Sequence, residues 1–303
     1  MRIPHPYKSP LLGTSFRWLL WSDALTLLSL MVGQVALPWW IAQSGGAHDL
    51  AVYGVLISAM SFVALPLLSP FADRHPKRSL MVVGLVGFGI AASAMAAFSA
   101  LSHYRLSIVV AIESVTVLAS ALIMPASNSI VTELVPPAGL SKALGLQQTA
   151  QASGRLIGPA IAGAVLAAVG TSPTLGLGAL LLFAAAVLAT RLPRPDRTAA
   201  ARPARDWSTE FRVGMRVNWA IPIERGWVLC NFVGAVFMLP CVMMLVPLKV
   251  QSLGLSAAWL GGCEAALSLG MLAGSLGPAE WWSHAQGRFG TRVTGAAVTG
   301  LAL

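Results

Sequence analysis

Apolar residues along this chain gather in blocks of about twenty, separated by short polar connections, and they do not alternate with polar residues at period two. Windows of about 19 residues place these blocks at 17–42, 50–70, 79–101, 106–127, 147–169, 174–192, 227–250 and 257–279, and a ninth begins near 293. As a helix, each complete block can cross a hydrocarbon layer about 30 Å thick. A membrane barrel would need alternating strands, so the pattern predicts an all-α polytopic membrane protein with about eight full spans and part of a ninth. Glycine and proline are frequent inside the blocks, which membrane helices tolerate because neighbours re-satisfy freed backbone groups. The opening MRIPHPYKSPLLGTSFRW leads into a run that continues to Ile41 without a small-residue cleavage site, as expected of a first span and not of a removable signal.

Composition narrows the function classes. Only 10% of the 303 residues are charged and 56% are hydrophobic; soluble domains carry about 25% charged residues, so a water-soluble enzyme is excluded. A mean hydropathy of +0.74 excludes a disordered chain as well. The net charge of +9 suggests an anionic partner until the bases are placed. With the N-terminus on one side and connections alternating, that side receives Arg2, Lys8, Arg17, Arg74, Lys77, Arg78, Lys142, eight arginines between Arg191 and Arg225, and Arg288 and Arg292. Seventeen of the twenty bases therefore share a side, leaving Arg105 and Lys249 opposite and Arg155 within a span. This positive-inside bias predicts a cytoplasmic N-terminus in a bacterial-type plasma (inner) membrane. It accounts for the charge with the lipid bilayer as partner and no nucleic acid.

Conventional sites are not expected. His5, His48, His75, His103 and His284 lie in connections or flanks without metal-ligand spacing, so no metal is expected. Cys230, Cys241 and Cys263 stand in apolar segments without paired spacing and read as small packing residues. There is no phosphate-cradling glycine loop and no nucleophile beside a base, hence no catalytic residue and no bound cofactor is expected. Trp39, Trp40, Trp259, Trp281 and Trp282 fall near span ends, where tryptophan anchors helices in the interface.

One connection differs from the rest. RLPRPDRTAAARPARD, after the sixth span, is too rich in Pro, Ala and Arg to bury a core, and it divides the chain into a six-helix bundle (1–192), a basic linker (193–226) and a partial second bundle (227–303). Within the linker, Trp207, Phe211, Met215 and Trp219 recur every fourth residue with Arg212 and Arg216 between them, a pattern that fits a short interfacial helix.

Two motifs stand at particular spans. SPFADRHPKRSL joins the second and third, placing Asp73, Arg74, Lys77 and Arg78 at helix ends, where an acid can meet helix amides and bases can meet helix carbonyls or lipid phosphates. GLQQTAQASGRLIGPAIAG in the fifth carries Gly145, Gly154, Gly158, Pro159, Ala162 and Gly163; such glycines admit a close neighbour and the proline bends the span. Together, in this order, the motifs resemble the major facilitator superfamily, specifically its drug and siderophore exporters related to the enterobactin exporter. FRWLLWSDALTLLSLMVGQVALPWW, PASNSIVTELVPPAGLSKALG and LVPLKVQSLGLSAAWLGG extend the resemblance over nearly the whole chain.

The resemblance implies secondary active, proton-coupled efflux of a small amphipathic compound by alternating access, by a monomer using the proton gradient and no cofactor. It makes Asp73, Arg74, Lys77 and Arg78 a gating loop and the glycines of span five an antiporter-like motif. Departures accompany it: Ser69 replaces a customary glycine, Ala162 the first of two glycines, and Ser29-Leu30 a Gly-Asp pair. The family has twelve helices, whereas this chain stops inside the ninth, where QGRFGTRV is similar to a degraded second loop motif. A truncated, transport-inactive remnant is therefore the alternative reading, and an uptake permease a weaker one.

Four ionisable residues remain inside spans: Asp23, Glu113, Arg155 and Glu264. Such groups persist in hydrocarbon when they face a cavity and have a partner. At about 1.5 Å per residue, Glu113 lies roughly 12 Å from the outer surface and Arg155 roughly 12 Å from the inner, within a core about 30 Å thick. Asp23 enters to a level near Arg155. In the resembled family helices one and four line the cavity and helix five lies between the halves, so Asp23 and Glu113 are expected to alternate between a proton and Arg155. A static buried ion pair is the other expectation for the same residues.

Overall fold

The computed structural model describes residues 13–101, 103–136, 139–193, 219–240 and 244–276, with single positions at 209, 212, 213 and 216. These residues are helical where they are regular, and no strand occurs among them. The segment Thr14–Arg74 is helical throughout except at Gly46, whose φ of 74° and ψ of −170° break it into α1 (14–45) and α2 (47–74). The break is required: the 51 residues Thr14–Ala64 would span about 76 Å as one helix at 1.5 Å per residue, more than twice a hydrocarbon core of about 30 Å. Only a glycine takes such a φ without a Cβ penalty. Gly46→Ala is accordingly expected to lower stability by about 1–3 kcal/mol, seen as a lower melting temperature in detergent, although a Cβ there meets nothing within 4 Å.

The bundle continues with α3 (Lys77–Ala100), α4 (Leu106–Leu134), α5 (Leu140–Val169) and α6 (Thr171–Ala189). Gly170, at φ 85°, alone joins α5 to α6. Each of these four helices is long and apolar enough to cross a membrane, and the turns fall alternately on two faces. One, here the basic face, holds His75 to Arg78, Lys142 and Arg191; the far face holds the Gly46, Arg105 and Gly170 turns. Beyond residue 193 come α7 (Pro222–Pro240), the short α8 (Val246–Ser252) and α9 (Ala257–Leu276).

Small side chains set the packing. Ser22 Oγ donates to the Ala185 carbonyl (3.0 Å) and Ser29 Oγ to that of Gly178 (2.8 Å), holding α1 antiparallel to α6 at two levels. The Ser29 that replaces an expected glycine thus serves as an inter-helix clip. Gly84 lets α3 approach Ile123 and Ala119 of α4, and Gly89 meets the Phe183 ring of α6. Leu19, Leu85, Ile123 and Leu182 fill the core of the basic half; Val32, Ile41, Leu166 and Leu260 fill that of the far half.

Two expectations change here. Trp40 is no interfacial anchor: it is buried, edge-on to Phe98 (5.9 Å) and Tyr104 (5.5 Å). Burial, then the nearby Asp49 carboxylate, push the Tyr104 phenol above its ordinary range. Trp259 is exposed as an anchor should be, and Trp281 and Trp282 lie outside the described residues. Cys230 and Cys263, expected to pack, are exposed on α7 and α9, because apolarity of a span does not say which side of its helix meets lipid; Cys241 lies outside the described residues. Most of the linker's four-residue repeat and the ninth span with QGRFGTRV also lie outside them.

Candidate functional site

Asp23 sits on α1 in the basic half, 3% exposed, and side chains of two other helices converge on it. Ser127 of α4 donates its hydroxyl to Oδ1 at 2.6 Å. From α5, Gln147 Nε2 donates to Oδ2 at 2.6 Å and Gln151 Nε2 to the same oxygen at 3.4 Å. Gln147 Nε2 also lies 3.0 Å from Ser127 Oγ and 3.3 Å from the Ser127 carbonyl, which closes the cluster on itself. Ser127 and Gln147 are buried, as is Gln151. Donors aimed at both oxygens are what a carboxylate anion needs, since it only accepts. Among the described residues no base faces this carboxyl, so charge balance must come from a proton or from the polarity of three neutral side chains.

The sequence places Asp23 and Arg155 at similar depth, but the helix turns them apart. Gln147, Gln151, Gly154 and Gly158 share the side of α5 that meets α1; Gly154 abuts the Ala24 carbonyl and Gly158 the Met31 Cβ. Arg155, one residue round from Gly154, is exposed. Its carbonyl accepts from Ser268 Oγ of α9 (3.2 Å), and among the described residues its guanidinium forms no ion pair. The expected Arg155 pairing with Asp23 or Glu113 is therefore not present in this conformation. Depth follows from residue count, whereas facing changes by about 100° per residue.

Glu113 lies on α4 in the far half. Its side chain is half-buried and forms no ion pair among the described residues. Glu264, on α9, is partly buried without an ion pair among the described residues. The four intramembrane charges thus do not form one cluster.

The two motifs divide similarly. Asp73 and Arg74 close α2, and their side chains lie outside the described residues; Lys77 and Arg78 open α3. Arg78 donates through Nη2 to the Thr190 carbonyl at the end of α6, where a helix terminus offers negative potential. In α5, Gly145 meets nothing within 4 Å, so its expected packing role is not seen. Gly163 instead meets α9: a Cβ on it would lie 2.8 Å from Gly261 Cα and 3.0 Å from the Ala257 carbonyl. A Cβ on Gly261 would run into the Pro159 carbonyl. Beside this seam Gln251 Nε2 donates to the Trp39 carbonyl (2.9 Å), and Met244 covers Gly54. These contacts close the far face between the first six helices and α8–α9.

Ser127, Gln147 and Gln151 are not among the residues that charge or motif spacing singles out. A signal was available in QQTAQ, where Gln147 and Gln151 recur at four residues on one side of a membrane helix, the spacing that stacks them on a single neighbour.

A family model, Major Facilitator Superfamily, matches residues 19–303. The chain belongs to the Major Facilitator Superfamily. In structure this facilitator is similar to a bacterial homolog of the human lysosomal transporter Spinster in an inward-facing and unoccupied conformation, with a TM-score of 0.69 and 17% identity over 91% of this chain and 63% of that one. It is also similar, at a TM-score of 0.49 and 15% identity, to the POT family transporter PepTSo, over 86% of this chain and 54% of that one. The facilitator chain thus spans less than two thirds of either solved transporter. No curated protein matches it in sequence. Superfamily members are transporters, not enzymes, and this one is a multi-pass helical membrane protein.

Proposed function

We propose that this facilitator chain belongs to a proton-coupled exporter of a small amphipathic compound of the drug or siderophore class, in the enterobactin-exporter-like branch. The observation that carries the reading is the buried Asp23 carboxyl, held by neutral donors on α4 and α5, where a proton is the simplest charge to gain and release. The glycine seam between α5 and α9 supports alternating access, because two halves that touch through backbone can separate without repacking large side chains. The basic face is read as cytoplasmic in a bacterial inner membrane, with the working unit a monomer that has no cofactor and draws on the proton gradient. Residues 1–192 form the first bundle, 193–226 the linker and 227–303 part of a second bundle.

In inverted membrane vesicles, dye or drug accumulation is expected to collapse when the proton gradient is discharged. Glu113→Gln and Arg155→Ala are expected to lower that accumulation severalfold; unchanged uptake in both removes them from the site while leaving transport intact. The chain covers 63% of the Spinster homolog, and transport by the whole protein belongs to this proposal. Vesicles that never accumulate substrate under any gradient would overturn it in favour of a transport-inactive chain.

A further inference from the structure

A side chain that holds a titrating carboxyl has to suit it both with and without its proton. Of the three groups around Asp23, the glutamine amides suit both forms in the arrangement seen: both offer N–H to Oδ2, which accepts equally as a carboxylate oxygen or as the carbonyl of an acid. They fix Oδ2 as the acceptor and leave Oδ1 to carry the proton. Among the described residues the only partner of Oδ1 is the Ser127 hydroxyl, 2.6 Å away. A hydroxyl both donates and accepts, and its hydrogen rotates freely.

We propose that Ser127 is the positioning residue of the proton step, reversing its hydrogen bond as Asp23 changes charge. With Asp23 ionised, Ser127 donates to Oδ1, as seen. With Asp23 protonated, Oδ1–H donates to Ser127 Oγ, and the serine hydrogen swings to the carbonyl one turn back on α4. The balance is one proton gained on Oδ1 and one hydroxyl rotated, with no other bond made or broken. The destination is ordinary for this protein: Ser93, Ser114, Thr26 and Thr149 all donate to the carbonyl four residues earlier, the back-bond open to serine and threonine within a helix.

The surroundings leave this pair isolated from other charge. Facing the Asp23 cluster are Ser127 from α4, Gln147 and Gln151 from α5, and from α6 the Ala185 carbonyl, already engaged by Ser22; among the described residues none of these titrates. The reversal would give Asp23 a hydrogen-bond partner for either charge state without moving a helix, so the proton can bind before the halves separate.

The inference rests on Asp23 being the proton carrier, and the test separates the two. Infrared difference spectra of the purified full chain, taken between low and high pH, should contain a protonated-carboxyl band that disappears in Asp23→Asn. Ser127→Ala should shift that band to higher frequency, as the acid O–H loses its acceptor, and Ser127→Thr should restore it. Ser127→Cys keeps the shape with a poor acceptor and should shift the band as alanine does, which covers the case of an alanine variant that fails to fold. A band present but unmoved by both Ser127→Ala and Ser127→Cys overturns the role of Ser127 alone. No Asp23 band at any pH overturns the proton reading and this inference with it.

Discussion

Asp23→Asn is expected to abolish gradient-driven accumulation, by about tenfold or more, while the protein still inserts and binds substrate. Asparagine is nearly isosteric with aspartate but cannot gain or lose a proton in this range, so exchange coupled through Asp23 stops, while gradient-independent exchange of substrate across the membrane persists. The structure adds a stability effect that separates this residue from a bystander. Ser127, Gln147 and Gln151 converge on the carboxyl as donors, and an asparagine amide would put one of its own N–H groups against them. A buried donor left unsatisfied costs about 1–3 kcal/mol, so the melting temperature in detergent should also fall. Asp23→Ala should cost more stability, since all three donors then lose their acceptor. Accumulation that survives Asp23→Asn and still collapses with the proton gradient would move the proton to Glu113 or Glu264.

The second large effect is expected at Gly261, where a side chain meets backbone on both sides. A Cβ there would collide with the Pro159 carbonyl and lie 2.8 Å from Gly163 Cα, and backbone cannot rotate away as a flexible side chain can. Overpacking costs typically about 1–3 kcal/mol, and about 1.4 kcal/mol is tenfold in a population. Gly261→Val should therefore shift the balance between closed and open far face by about ten- to hundredfold towards open. The measurement is labelling of a cysteine introduced at Trp39, beside the Gln251 contact, by a membrane-impermeant maleimide in a background without Cys230, Cys241 and Cys263. Gly262→Val is the matched control, because a Cβ there meets nothing within 4 Å. Equal labelling of the two variants would show that the seam does not govern closure.

How much of this could be read beforehand varied with the kind of information needed. Block hydropathy carries the helical membrane fold and places α3 to α6, since a helix must be long and apolar to cross a bilayer whatever it packs against. The glycines of the fifth span were recognisable as a packing surface, but their partners were not: Gly154 and Gly158 serve α1, Gly163 serves α9, and Gly145 meets nothing near. Charges were harder. Counting residues put Asp23 and Arg155 at a common level, yet a step of one residue around α5 separates Gly154, against α1, from the exposed Arg155. Ser127 and the two glutamines do not stand out because an uncharged polar residue in a span is commonplace, and its importance depends on which acid of a distant helix it faces.

The reversal at Gly46 has a consequence for how the chain enters the bilayer. Around it the tip is GlnSerGlyGlyAlaHisAsp, residues 43–49, with one acid and no lysine or arginine. Residues 14–74 can thus cross as a single helical hairpin, dragging only a few polar groups through the hydrocarbon while Arg17 and the bases of the 74–78 connection remain together on the basic face. Because the kink is built into one glycine and not into a loop, the pair forms with its antiparallel sense already set. Later helices then arrive at an existing two-helix template, with the Asp23 carboxyl awaiting partners that α4 and α5 supply only after about a hundred further residues.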